Sequence, residues 1–144
     1  MGANELIVAM ATASIVIACV LLHTEVLQLL KTITQDRMPA RSGIAFSVLG
    51  LVILHVIEIW FFAFGYYFLL DNSALGTLMT TTESSLADFV YYSATVYTTL
   101  GFGDIVPTGP IRFLTGVEAV MGLTLITWSA SFMFLEMQRY WSRD

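Results

Sequence analysis

Apolar residues come in three long runs. Residues 6–22, LIVAMATASIVIACVLL, carry no charge, and the apolar character resumes after His23, Thr24 and Glu25 as far as Leu30. Residues 43–70 form a second run, broken only by His55 and Glu58. Residues 113–135 form a third, broken only by Glu118. A helix that crosses a bilayer needs about 20 mostly apolar residues. The pattern therefore predicts three transmembrane helices, near 5–31, 43–70 and 110–138. Between the second and third runs, residues 71–85, DNSALGTLMTTTESS, read as an exposed polar loop. Residues 86–100, LADFVYYSATVYTTL, are apolar but short for a span, the length of a re-entrant or buried piece. Ser85 with Asp88 three residues on is a capping pair, so a short helix should begin there and run over 86–98. Gly101-Phe102-Gly103-Asp104 cannot continue it, and Pro110 suits the first turn of the last helix.

Composition sharpens this picture. Of 144 residues, 57% are hydrophobic and 12% charged, and the mean hydropathy is +0.78. A soluble domain carries about 25% charged residues, so a soluble globular protein is excluded. A net charge of −5 with only 6 Lys and Arg argues against nucleic acid as a partner. One cysteine, Cys19, allows neither an intrachain disulfide nor a thiolate zinc cluster. Val16-Ile17-Ala18-Cys19 resembles a lipoprotein cleavage box, but no basic residue precedes it and the apolar run continues past it, so it reads as helix. No nucleophile–base pair, phosphate loop or metal-ligand motif is visible, so the chain reads as a non-enzyme without an organic cofactor.

Lys31, Arg37 and Arg41 cluster at the first short loop, Arg139 and Arg143 follow the last helix, and only Arg112 lies on the other side. The positive-inside rule then places loop 32–42 and the C-terminus in the cytoplasm and the N-terminus outside. The expected location is the plasma (inner) membrane, as a multi-pass protein. Asp71, Glu83, Asp88 and Asp104 all fall in the outer segment. Tyr140 and Trp141 fit a cytoplasmic aromatic belt, whereas Trp60, Tyr66 and Tyr67 read as lipid- or core-facing bulk.

Irregular backbone survives at membrane depth only inside protein or against a water-filled cavity. In Thr98-Thr99-Leu100-Gly101-Phe102-Gly103-Asp104, two glycines at alternate positions permit left-handed backbone angles. Alternating handedness along an extended strand turns successive carbonyls to the same side. Such a row is a ladder of cation sites, to which the Thr99 hydroxyl adds one more rung. The negative end of the preceding short helix favours a cation there too.

The string TTLGFGD, behind a short amphipathic helix and ahead of a long helix with a mid-span glycine, resembles the pore module of potassium channels, whose usual strings are T-T-V-G-Y-G-D or T-I-G-F-G. The resemblance covers 43–138. It divides the chain into an extra N-terminal helix with a cytoplasmic loop, 1–42, and a pore module, 43–144. The module comprises outer helix 43–70, outer loop 71–85, pore helix 86–98, filter 99–104 and inner helix 110–138. It implies an all-α membrane protein of three transmembrane helices with a re-entrant pore helix and selectivity filter, assembled as a homotetramer in lipid. K⁺ is then the transported ion, held by carbonyls of Thr99, Leu100, Gly101 and Phe102, with Gly103 completing the filter. The implied function is passive K⁺ conduction. A weakly selective cation channel and a non-conducting regulatory subunit that joins another membrane partner are the alternatives.

Several residues acquire expected roles from the same resemblance. Phe102 stands where the family often has tyrosine and Val96 where it often has threonine, so both ends of a hydrogen bond are absent together. Thr95 stands where some members carry a glutamate that pairs with the filter aspartate. Asp104 then needs another partner, either the Tyr91 hydroxyl or outer water. Thr98, Thr124 and Thr127 are placed to wet the cavity below the filter. Glu118 lies six residues after Arg112, about 9 Å along the helix, and is expected to brace the pore helix. Gly122 fits either a hinge or a packing glycine. Steps of four from it reach Ile126, Ala130, Phe134 and Gln138, so Phe134 is either a gate that closes by dewetting or a lipid-facing ring.

Ionisable groups in apolar runs are costly unless they face protein or water. This applies to His23, Glu25, His55, Glu58 and Glu118. His55 and Glu58 share a helix face and can pair, either structurally or as a pH sensor. Nothing else points to a redox cofactor, so a haem between His23 and His55 is not expected. No helix carries arginine at every third position, so no voltage sensor is expected.

Overall fold

A computed structural model of the chain describes residues 2–37, 39–79 and 85–141. Glu83 and Arg143 lie outside the described residues, as do the side chains of Arg37, Tyr140 and Trp141. The long helices are α1 (Ala3–Arg37), α2 (Ala40–Leu69) and α4 (Arg112–Trp141), and a short α3 spans Leu86–Tyr97. Three segments are long and apolar enough to cross a membrane: Ala3–Thr34, Arg41–Leu69 and Gly109–Arg139. The protein is a multi-pass membrane protein.

The helix ends differ from those the apolar runs suggest. Helix α1 continues to Arg37 because its polar tail, KTITQDR, contains several good helix formers and no breaker. Helix α2 begins at Ala40, directly after Pro39, whose φ of −61° and ψ of 151° supply the extended N-cap conformation. At α3 the start is local chemistry. The Ser85 hydroxyl accepts from the Asp88 backbone N–H, and the Asp88 carboxylate accepts from the Ser85 backbone N–H. The Ser85 backbone N–H and hydroxyl both donate to the Asp88 carboxylate, and these bonds hold that carboxyl below its usual range.

The all-α expectation misses a small ribbon. Strands β1 (Thr77–Met79) and β2 (Val106–Thr108) pair antiparallel, with Thr77 opposite Thr108 and Met79 opposite Val106. Three-residue strands are too short to show a period of two. Pro107 is tolerated because a two-stranded ribbon is all edge. The loop before α3 is also less exposed than its polarity suggests. Leu75, in a 3₁₀ turn over Ser73–Leu75, is buried in the same apolar cluster as Ile111. The ribbon thereby ties the segment before α3 to the segment that follows the turn at 98–104.

Helix α1 packs on α2 and α4, and α3 is held between α2 and α4. One apolar cluster surrounds α3. It includes Phe62 and Tyr66 of α2, Tyr92 and Tyr97 of α3, and Leu114 and Leu125 of α4. A second joins Leu27 and Leu30 of α1 to Leu51 and Leu54 of α2. Outward positions such as Leu21, Ile53, Phe68 and Val120 are apolar and exposed, which suits lipid or further protein rather than water.

Candidate functional site

Helix α3 stops at Thr98 and the chain turns back over its end. The Gly101 backbone N–H donates to the Thr95 carbonyl at 3.0 Å, and the Thr98 hydroxyl donates to the Ala94 carbonyl at 2.7 Å. Backbone handedness then alternates, with φ of 59° at Thr99, 51° at Gly101 and 78° at Gly103. Glycine accepts such angles freely, whereas a β-branched residue does not. Among the described residues Thr99 is the single non-glycine residue with positive φ, a conformation that costs about 1–2 kcal/mol. Leu100 and Phe102 are 59% and 65% exposed, and a Cβ added at Gly101 or Gly103 would meet nothing within 4 Å. The turn is thus strained, apolar at alternate positions and uncovered by its own chain.

Its supports are specific. The Tyr91 hydroxyl donates to Asp104 Oδ2 at 2.8 Å, tying the far end of the turn to α3. That bond to the carboxylate raises the Tyr91 phenol above its ordinary value of 10. A group whose pKa is raised on folding contributes stability below its unfolded pKa and loses it as pH rises through the folded one. The Tyr91–Asp104 tie should therefore stay whole up to about pH 10 and dissolve above that. In alkaline spectrophotometric titration, the tyrosine signal lost in Tyr91→Phe should be one that ionises late, and Asp104→Asn should bring it down towards 10. A Tyr91 that titrates identically with and without Asp104 would contradict the tie.

Glu118 is fully buried on α4 and receives hydrogen bonds from Ser93 of α3 and Tyr66 of α2. Thr115 lies beside it, with its hydroxyl 3.2 Å from that of Tyr66 and 3.1 Å from that of Tyr92. Tyr66 reads as bulk in the sequence, yet its hydroxyl is one of the two groups that satisfy this carboxylate. Gly122 faces α3 as well. A Cβ there would lie 1.9 Å from the Tyr97 carbonyl oxygen, so contact between the two backbones requires glycine at this position. Ile126 and Phe134 are exposed, and the Thr124 and Thr127 hydroxyls bond carbonyls of their own helix.

His55 and Glu58 do pair, at 3.0 Å between His55 Nδ1 and Glu58 Oε2. Three further residues join them. His23 Nδ1 of α1 is 2.9 Å from Glu58 Oε1, the Tyr97 hydroxyl donates to Glu58, and the Ser129 hydroxyl is 3.3 Å from His23 Nε2. Sequence reading misses this set because its members come from four helices. The one available signal is that His23, His55 and Glu58 each interrupt an apolar run. Glu25, two residues from His23, is on the exposed face of α1.

A sequence profile described as an ion channel matches residues 44–139. The chain belongs to the ion channel family. No curated protein and no solved structure matches it. The matched span of this channel protein begins in α2 and ends in α4. It contains α3, the turn at 98–104, Glu118 and Gly122, and it leaves α1 outside. The family match supports ion channel activity for a span that includes the turn of alternating handedness. The β1–β2 ribbon and the buried Glu118 also fall within the matched span.

Proposed function

We propose that the protein is a potassium-selective channel formed by four copies of the chain, with residues 99–103 as the filter and α3 as a re-entrant pore helix. The observation that carries this reading is the alternation of left-handed φ at Thr99, Gly101 and Gly103. It supports a row of carbonyls from Thr99, Leu100, Gly101 and Phe102 directed to one side, where four chains would replace the hydration shell of K⁺. The exposure of Leu100 and Phe102 in a single chain supports further copies around the turn. Exposed Ile126 and Phe134 on α4 support a conduit wall below the filter, with Phe134 as its constriction. The basic residues of the sequence support a plasma-membrane orientation with the filter end outside and the C-terminus in the cytoplasm.

A weakly selective channel is the second reading. Val96 and Phe102 offer no hydroxyl pair behind the strand, which favours a looser filter. The reversal potential across a K⁺/Na⁺ gradient in proteoliposomes separates the two. A value near the K⁺ equilibrium potential is expected, and a value near zero would support the weakly selective channel. Gly101→Ala is expected to abolish flux while the assembly persists, because a side chain is forced into a left-handed position inside the ring. Undiminished K⁺ flux in that variant would remove 99–103 from the pathway.

A further inference from the structure

Between the two apolar clusters, all four helices meet at one polar knot. His23 and Glu58 are fully buried, and the His55 side chain is 19% exposed. His23 Nδ1 lies 2.9 Å from one Glu58 oxygen, and His55 Nδ1 lies 3.0 Å from the other and 2.9 Å from the Tyr97 hydroxyl. One ligand atom each from His23, His55 and Glu58 fall within 4.8 Å of one another. Neither the match to the ion channel family nor the proposed conduction uses this knot.

We propose that His23, His55, Glu58 and Tyr97 form a tetrahedral site for a divalent transition metal ion of the zinc type. The spacing fits. Bonds of about 2.1 Å give tetrahedral donor–donor edges of about 3.4 Å, so the two His–Glu58 pairs and the His55–Tyr97 pair need to open by about 0.4–0.5 Å and the Tyr97–Glu58 pair by about twice that, while the ligand atoms spread over up to 4.8 Å draw in around the ion. The ring orientation fits as well. With His23 Nδ1 on the ion, its Nε2–H is left to donate to the Ser129 hydroxyl at 3.3 Å, and metal-bound imidazoles are usually oriented by such an outer partner. The Trp128 ring packs against the same imidazole, with its centroid 5.2 Å from that of His23.

Charge fits too. A doubly charged ion with one carboxylate and one phenolate is a neutral set, which spares the protein a net charge among apolar helices. Two imidazoles, a carboxylate and a phenolate with no thiolate suit zinc better than soft ions such as Cu(I) or hard ions such as Mg²⁺. Proton balance follows directly. Glu58 binds as the carboxylate and both histidines bind neutral, while the Tyr97 hydroxyl gives up its proton to solvent as its oxygen bonds the metal. The ion would fasten α1 and α2 to the last residue of α3, immediately ahead of Thr98 and the turn.

The test uses the full-length protein in lipid nanodiscs, stripped with a chelator and titrated with Co²⁺. The expected result is one Co²⁺ per chain with the intense visible bands of tetrahedral cobalt, displaced by Zn²⁺, with one proton released per ion. Ser129→Ala keeps all four ligands and should weaken binding by about 10- to 100-fold. His23→Gln should remove the tetrahedral bands, and Tyr97→Phe should shift them and abolish proton release. If His23→Gln fails to fold, Ser129→Ala and Tyr97→Phe decide the matter. Weak octahedral-type bands, no stoichiometric uptake, or a cobalt spectrum indifferent to these variants would overturn the site. Loss of K⁺ selectivity in flux assays would leave this result untouched, so the two proposals fail separately.

Discussion

Glu118→Ala is expected to lower the melting temperature of the assembled protein by roughly 10 °C or more. The carboxylate is fully buried and joins α4 to Ser93 of α3 and to Tyr66 of α2. Its removal takes the shared acceptor from two buried hydroxyls, leaving Ser93 the Ile59 carbonyl and Tyr66 the Thr115 hydroxyl, at about 1–1.5 kcal/mol per lost bond, and opens a cavity beside Thr115 that costs about 2–3 kcal/mol more. The sum, about 4–6 kcal/mol, is a large share of any domain's stability. Glu118→Gln keeps the shape but offers one acceptor oxygen instead of two, so it should fall between alanine and wild type. Thermal unfolding followed by tryptophan fluorescence in detergent reads both variants. Two melting curves that coincide with wild type would show that α3 is held by packing alone.

Gly122→Ala sets two effects against each other. Alanine in a helix interior is favoured over glycine by about 1 kcal/mol. Against this, the new methyl would sit 1.9 Å from the Tyr97 carbonyl oxygen, 2.7 Å from its carbonyl carbon and 2.9 Å from its Cα. These are backbone atoms, so no rotamer change relieves the overlap, and α3 must move by about 1 Å or more. Overpacking of this kind costs about 1–3 kcal/mol, occasionally more, and outweighs the propensity gain. The displacement passes directly from Tyr97 into Thr98 and Thr99, so ion flux should collapse along with stability. A melting temperature that rises, as propensity alone dictates, would contradict the close approach of α3 and α4.

Local chemistry was legible in the sequence, and helix rotation was not. The three long helices follow from long apolar runs with few charged interruptions. The start of α3 follows from Ser85 and Asp88, which are three residues apart and need no tertiary contact. Tyr91 and Asp104 are near neighbours across one turn, so the sequence narrows the partner of Asp104 to that hydroxyl or water, and the structure contains the hydroxyl bond at 2.8 Å. The polar knot is different. His23 and Glu58 are 35 residues apart and His23 and Ser129 are 106 apart, so their meeting depends on how each helix turns about its own axis. Apolar runs that are hydrophobic all round carry little rotational signal. Gly122 is a similar case. The sequence permits a hinge or a packing role, and the Tyr97 carbonyl against its Cα supplies a steric requirement that only the fold contains. The β1–β2 ribbon escaped notice because its strands are three residues each.

The most direct measurement is a density map of the full-length protein in lipid nanodiscs with K⁺ present. The expected map is a ring of four chains in which Thr99, Leu100, Gly101 and Phe102 line the central axis, with ion density between successive carbonyl layers. A map in which residues 99–103 lie away from any symmetry axis, or in which the chains form no ring, would contradict the proposed conduction pathway.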